Sequence, residues 1–251
     1  MLSAGGWLFF HQTCMLLLGR LSVVRTLTAS EKADAGILVV SFFFSVMVTV
    51  GASMILVDPD PAIMSDIIYG FSPRAQFMIA FSSGFFLWNL FADHSTVSKI
   101  MHHVSCIFVY TFALYPTFHL MALICLLWEG STPLLSIRSM LILMKRNKTP
   151  LFGVVNTLFA VVFFVIRILV GVPSSVLWWI RVVPHVFGEP TGGGVPLHSH
   201  AVIYAYLGGN ILLNGLNVWW MVAFLRRFFK SKKSVSGRDG AGEGSGITKK
   251  D

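Results

Sequence analysis

Two adjacent histidines, His102 and His103, precede a single acid in the next apolar stretch, Glu129. A neutral imidazole beside a carboxylate suits general-base or nucleophilic work in acyl transfer, so these three residues are the candidate catalytic set. Neighbours on a helix point about 100° apart, which lets both rings line one wide cavity, one acting on substrate while the other holds a second group. The alternative is a pair at the membrane interface satisfied by lipid phosphate or water. Around them stand Asn89, Asn156, Arg167, Asn210, Asn214 and Asn217, read here as candidate substrate-binding residues. Asn210, Asn214 and Asn217 fall at i, i+4 and i+7 on one helical stripe. Asn156 shares a face with Ala160, Phe163 and Arg167, and His103 with Cys106 and Tyr110. The competing reading is that the amides only hydrogen-bond across the bundle and that Arg167 snorkels to a headgroup. Metal chemistry is not expected: His94, His102 and His103 have no second histidine cluster to match, and His198 and His200 fall in a loop on the other side. No metal and no cofactor are assigned. The Gly192 to Gly194 run lacks the lysine and the strand-to-helix setting of a phosphate cradle, so it is given no ligand.

Such residues must be carried by membrane helices. Of 251 residues, 55% are hydrophobic and 12% charged, about half the charge of a soluble domain. With 22 Phe and 7 Trp, the chain is too apolar for a soluble enzyme or a disordered segment. A hydrocarbon core of about 30 Å asks for about 20 apolar residues per helix. Seven stretches meet that pattern: 4–19, 36–57, 74–92, 100–116, 117–139, 151–172 and 201–224. The first has no basic residue before it and no small-x-small site after it, so it is read as a span rather than a signal peptide. Pro116 is the expected turn between the fourth and fifth. The fold class is thus all-α, a multi-pass transmembrane bundle of about seven spans around a lipid-sized cavity. Residues 1–19 form an N-terminal span, 20–228 the main membrane domain and 229–251 a basic, flexible cytoplasmic tail. Residues 173–200, with Trp178, Trp179, Pro184 and Pro190, read as an interfacial half-helix and a flexible loop. Cys14, Cys106 and Cys125 all lie in apolar stretches and support no disulfide framework.

Charge sets the orientation. The net charge is +8, and residues 226–251 hold eight Lys or Arg against three acids. This excess follows a hydrophobic segment directly, the place of a headgroup contact rather than of nucleic acid, which is not expected as a partner. With seven alternating spans, one face collects Arg20, Arg25, Lys32, Lys99, Lys145, Arg146, Lys148 and the tail, and the other only Arg74 and Arg181. Basic residues accumulate on the cytoplasmic side, so the C-terminus is expected in the cytosol and the N-terminus in the lumen. Asn89, the histidine pair and Asn156 then lie in the cytoplasmic part of their spans, and Glu129 near mid-membrane. An acid at that depth must be protonated, paired or hydrated.

At these residues the chain resembles the TLC domain family, which includes ceramide synthases, translocating-chain-associated membrane proteins and lipid-homeostasis proteins. The match runs through KIMHHVSCIFVYTFALYP (99–116), LLWEGSTPLLSIRSML (126–141) and NTLFAVVFFVIRILV (156–170), and more faintly through SGFFLWNLFADH (83–94) and NVWWM (217–221). The resemblance implies a helix bundle in the endoplasmic reticulum around a lipid-sized cavity. It also implies membrane lipids as partners and a fatty acyl-CoA as co-substrate. In ceramide synthases the paired histidines, here His102 and His103, move an acyl chain from coenzyme A to a sphingoid amine, supported by two acids in the next helix. The first acid corresponds to Glu129 and the second to Thr132. Trp128 replaces a histidine, and Asn89 stands where many relatives carry Asp. The Glu129-Gly130-Ser131-Thr132-Pro133-Leu134 segment, followed by Arg138, resembles the TLC-domain-containing branch, and adds Ser131 and Arg138 to the candidate substrate-binding residues.

Two functions follow as expectations. The first is acyl-chain binding with transfer from acyl-CoA to a lipid acceptor, with His103 as base or transient acyl acceptor, His102 orienting the thioester, Glu129 fixing the imidazole tautomer and Asn210, Asn214 and Asn217 binding the polar end of the acceptor. The second is non-catalytic lipid binding, adjustment of membrane composition or escort of cargo. The orientation also makes a prediction. The sequon Asn147-Lys148-Thr149 faces the cytosol and carries no glycan, so glycosidase leaves the protein's mobility unchanged; a shift abolished by Asn147→Gln would invert the topology.

Overall fold

The computed structural model describes residues 4–93, 95–115, 117–187 and 200–239, apart from the side chains at 23, 185–187, 200 and 227–239. His94, the turn at Pro116, the Gly192 to Gly194 run, Pro190, His198 and the last twelve residues lie outside this set, as does the side chain of His200. Helix starts follow local signals. Thr28 and Glu31 form a reciprocal capping box that opens a helix at residue 29, seven residues before the apolar run, with the charged first turns as its extension. Ser72, Thr96 and Thr149 each accept a backbone N–H at the start of a helix, and Pro73 and Pro150 occupy first-turn positions where no donor is needed.

The elements are α1 (Ala4–Leu18), α2 (Ser22–Arg25), α3 (Ala29–Val57), α4 (Pro61–Ser65), α5 (Pro73–Ala92) and α6 (Val97–Phe112). Then come α7 (His119–Leu127), α8 (Thr132–Leu143), α9 (Pro150–Phe163), α10 (Val172–Phe187) and α11 (His200–Asp239). Two irregular turns join collinear pieces. A 3-10 turn, Trp128–Ser131, links α7 to α8, and a π-helical stretch, Phe164–Gly171, links α9 to α10. Pro133 cannot donate to the carbonyl of Glu129, and Pro173 likewise removes a donor just after Gly171, so regular hydrogen bonding is interrupted near both places.

Five of the resulting rods are long and apolar enough to cross a membrane: Ala29–Val57, Pro73–Ala92, His119–Leu143, Pro150–Pro184 and Ala201–Arg226. The expected count of seven is not reached on that measure, because α1 has 15 residues and α6 has 16. At 1.5 Å per residue each is about 22 to 24 Å long, short of the hydrocarbon thickness. The stretch after residue 172 also differs from expectation. It continues the α9 rod as helix, and Trp178 is buried against Phe118 and Tyr206.

Helix α6 lies between α5 and α11, while α3 packs against α1, α5, α7 and α8. Aromatic rings fill the interior: Phe44 stacks on Phe85 at 3.6 Å between centroids, Trp7 of α1 meets both edge-on, and Phe86 stacks on Tyr110. Large apolar side chains on the outside, such as Phe9, Phe77, Phe91 and Leu151, suit a hydrocarbon solvent. The chain is therefore an all-α integral membrane protein.

One end of the bundle is closed by polar contacts. Ser72 donates its backbone N–H to His119 Nδ1 at 3.1 Å, and Phe118, at positive φ, donates to the carbonyl of Ile68 at 2.7 Å. Asp60 accepts from the Ser72 hydroxyl and from Arg74, which hold its carboxyl below the usual range. That contribution to stability is complete above the ordinary value of 3.8 and is lost as pH falls through the lower folded value. Gly70 sits in the same closure. A β-carbon there would overlap the carbonyl oxygens of Ala62 and Asp66 and lie 2.6 Å from Cα of Ile63. Gly70→Ala should destabilise the fold by about 1–3 kcal/mol, read as a lower thermal midpoint in detergent; an unchanged midpoint would contradict this packing.

Candidate functional site

The 3-10 turn between α7 and α8 holds Glu129 inside the bundle, 6% exposed. The π-helical stretch brings Arg167, 5% exposed, opposite it. Arg167 Nη2 lies 3.2 Å from Glu129 Oε1, a buried ion pair. Removing two such charges from water costs several kcal/mol per ion, so the pair persists only if its remaining hydrogen-bonding groups find partners. They do. Thr132 donates its hydroxyl to Glu129 Oε2 at 2.7 Å. Arg167 Nε donates to the carbonyl of Trp128 at 2.9 Å and to Ser131 Oγ at 3.2 Å, and Nη1 donates to Asn217 Oδ1 at 2.9 Å. The guanidinium also lies over the rings of Phe163 and Trp220, at 5.2 and 6.0 Å. Arg167 thus does not snorkel.

The histidines divide as the 100° step requires. His102 faces this cluster, with Nε2 4.0 Å from Glu129 Oε1 and its ring 5.4 Å from that of Trp220. His103 turns toward α5, where Nε2 lies 3.1 Å from Asn89 Nδ2. The tautomer of His103 decides which of the two donates, and its Nδ1 is buried without a partner. The two rings remain 5.5 Å apart. The carboxylate therefore serves His102, not His103. Cys106, one turn along α6, places Sγ 3.8 Å from both nitrogens of His102.

The asparagine stripe of α11 is buried throughout but does not serve one place. Asn217 joins Arg167. Asn214 donates to Ser175 Oγ at 3.0 Å and to Asn210 Oδ1 at 3.1 Å. Asn210 accepts from Trp179 Nε1 at 3.0 Å and donates to Cys125 Sγ at 3.7 Å. Asn210 and Asn214 thus fasten α11 to α10 and α7, away from the ion pair. Arg138 and Asn156 form a separate contact, Nε to Oδ1 at 2.7 Å, linking α8 to α9. The structure brings together His102, His103, Asn89, Glu129, Ser131, Arg167 and Asn217, and leaves Arg138, Asn156, Asn210 and Asn214 outside. Thr132, Cys106 and Trp220 join the cluster without having been singled out as site residues. Spacing held a signal for two of them, since Thr132 follows Glu129 by three positions and Cys106 follows His102 by four.

Several buried polar atoms at the cluster remain unpartnered, among them Asn89 Oδ1, His103 Nδ1 and Asn217 Nδ2. An apolar cleft of about 30 Å3, lined by Phe159, Ala160, Phe163, Trp220, Met221 and Phe224, opens where α9 and α11 face each other. Trp220 and Phe163 belong both to this cleft and to the cation-binding face over Arg167.

Comparison with known proteins places these residues in a wider group. The family model of the TLC domain matches residues 34–226, which hold the histidine pair, Glu129, Arg167 and all three asparagines of the stripe. An uncharacterised TLC domain-containing protein of Schizosaccharomyces pombe is 31% identical over 181 residues, 68% of this chain and 59% of its own length. The chain thus spans less than two thirds of that relative. With most of its length matched by the family model, and the ion pair and histidines inside the match, the chain belongs to the TLC domain family.

Proposed function

We propose that this membrane protein binds a fatty acyl chain and transfers it from acyl-CoA to a lipid acceptor. The observation that carries the reading is the approach of His102 Nε2 to Glu129 Oε1, with the carboxylate fixed by Arg167 and Thr132. At 4.0 Å the two are not hydrogen-bonded, but the carboxylate is near enough to orient the ring of a base once the site closes on a substrate. His102, facing the carboxylate, takes the role of base, and His103, tied to Asn89, shapes the pocket wall beside it. The unpartnered amide of Asn217 supplies a donor for a substrate oxygen. Acyl-CoA is cytosolic, and the basic residues of the 145–148 loop and of the tail support a cytosolic C-terminus. The endoplasmic reticulum, where lipid acceptors are made, is the proposed location. Helix α1 is an accessory element packed against α3 and α5, and residues beyond 228 are a basic segment against anionic headgroups.

A second reading has its own observation. Both oxygens of Glu129 and every nitrogen of Arg167 are engaged within the protein, as in a network that only holds a bundle together. On that view the protein binds lipid or escorts cargo without chemistry.

One experiment separates them. Purified protein is incubated with labelled long-chain acyl-CoA and total membrane lipid extract, and new lipid species are read by mass spectrometry. Acyl transfer should occur, falling about 10²-fold or more in His102→Ala and Glu129→Gln, with a smaller loss in His103→Ala. Turnover that is unchanged in folded His102→Ala and Glu129→Gln proteins would sink the transferase reading. Co-purified intact lipid with no transfer by the wild type would favour the binding one.

A further inference from the structure

The two irregular turns fit together through their glycines. Gly130 of the 3-10 turn receives Ile166 of the π-helical stretch: a β-carbon there would lie 3.0 Å from Ile166 Cδ1 and 3.2 Å from Thr49 Cγ2. Gly171, the last residue of the π-helical stretch, receives Trp128 in return. A β-carbon on Gly171 would stand 2.7 Å from Nε1 and 3.0 Å from Cε2 of the indole, and 3.1 Å from the carbonyl oxygen of Ile166. The two contacts differ in kind. Ile166 Cδ1 is the end of a flexible side chain and can turn aside, whereas Nε1 and Cε2 belong to a rigid ring, 4% exposed. Nε1 makes no hydrogen bond, so shape alone seats that ring on the glycine.

Trp128 is also where Arg167 is anchored. Its carbonyl accepts from Arg167 Nε at 2.9 Å, while its indole rests on Gly171, four residues further along the same stretch. One residue thus meets the π-helical stretch at two points. Together they fix how Arg167 reaches Glu129, where Nη2 and Oε1 are 3.2 Å apart. A preorganised site holds its geometry to about 0.5 Å. Widening a contact from 2.7 Å to the ordinary 3.4 Å takes more than that, and the movement falls on Trp128 or on the stretch that carries Arg167.

We propose that Gly171 is a positioning residue of this site: the bare backbone seats Trp128, and through it sets Arg167 on Glu129 and Glu129 beside His102. The inference rests on the acyl-transfer reading for its effect on rate, and on packing alone for its effect on the ion pair. Gly171 acts through Trp128, Arg167 and Glu129 in turn, so its replacement lowers the rate of transfer and leaves binding of the acyl donor unchanged. Helix propensity works in the opposite direction, since alanine is favoured over glycine inside a rod. A loss in Gly171→Ala therefore reports the contact.

The test uses the full-length protein in detergent. Product formation from labelled palmitoyl-CoA and total membrane lipid extract is measured beside the thermal midpoint. Gly171→Ala should lower kcat about tenfold or more, with KM for palmitoyl-CoA within about twofold of wild type. Gly171→Ala/Trp128→Phe, in which a smaller ring makes room for the methyl group, should recover most of that loss. Gly153→Ala, in the same rod but with open space at its β-carbon, should match wild type. Wild-type turnover in Gly171→Ala, or a loss that Trp128→Phe leaves in place, would overturn the proposal. A double-mutant cycle on the midpoint gives a readout independent of activity. Gly171→Ala should lower the midpoint less once Arg167→Met and Glu129→Leu have removed both charges, because no pair is left to misplace. An equal drop in both backgrounds would refute the positioning role. If the wild type forms no product, the acyl-transfer reading falls and the cycle decides the positioning of the ion pair by itself. If Gly171→Ala does not fold, recovery of folding and turnover in Gly171→Ala/Trp128→Phe supports the contact, and failure to recover overturns it.

Discussion

A guanidinium and a carboxylate share the interior of a bundle whose surface is built for lipid, and much of the architecture around them can be traced to that pairing. An isolated ion in this setting would cost several kcal/mol, and the attraction of its partner does not repay the cost unless the remaining donors and acceptors are also met. Arg167 meets that demand with acceptors from two rods: the carbonyl of Trp128, the hydroxyl of Ser131 and the carboxylate of Glu129 from one, and the amide oxygen of Asn217 from α11. Three membrane helices are thereby tied at one point. The two irregular turns belong to the same arrangement. A regular helix spends its carbonyls on its own N–H groups, whereas the 3-10 turn at Trp128–Ser131 presents the Trp128 carbonyl to a neighbour.

Much of this was legible in the sequence. Apolar runs located the rods, and caps at Thr28, Ser72, Thr96 and Thr149 explain where they start. The histidine pair, Glu129 and Arg167 stood out because ionisable groups are costly in hydrocarbon. The details that decide chemistry were not legible. Periodicity put Asn210, Asn214 and Asn217 on one stripe, and they do share it, but a stripe seven steps long spans about 10 Å of helix. Its ends therefore meet different neighbours, Arg167 at one and Ser175 with Trp179 at the other. Periodicity could not say which histidine faces Glu129 either, since that depends on how α6 is rotated between α5 and α11. Arg167 looked close enough to a membrane surface to snorkel because the helix after it seemed to end near residue 172. The rod instead runs on to Phe187, and the guanidinium is enclosed.

Aromatic packing gives the cluster its walls. Phe86 touches both histidines and Tyr110, Trp220 touches His102 and Arg167, and Phe163 lies under Arg167. Flat, rigid rings bury large areas with few rotatable bonds, and they present their faces to cations. Trp220 and Phe163 thus both cover the guanidinium and line the small apolar cleft between α9 and α11.

The separation in sequence between the two partners of the ion pair has a consequence for biosynthesis. Glu129 and Arg167 are 38 residues apart, with a complete turn of the chain between them. At 5–20 residues per second, the acid is synthesised roughly 2–8 s before its cation. During that interval the α7–α8 rod holds an acid whose cation has not yet been made, so the final seating of an early rod waits on a later one.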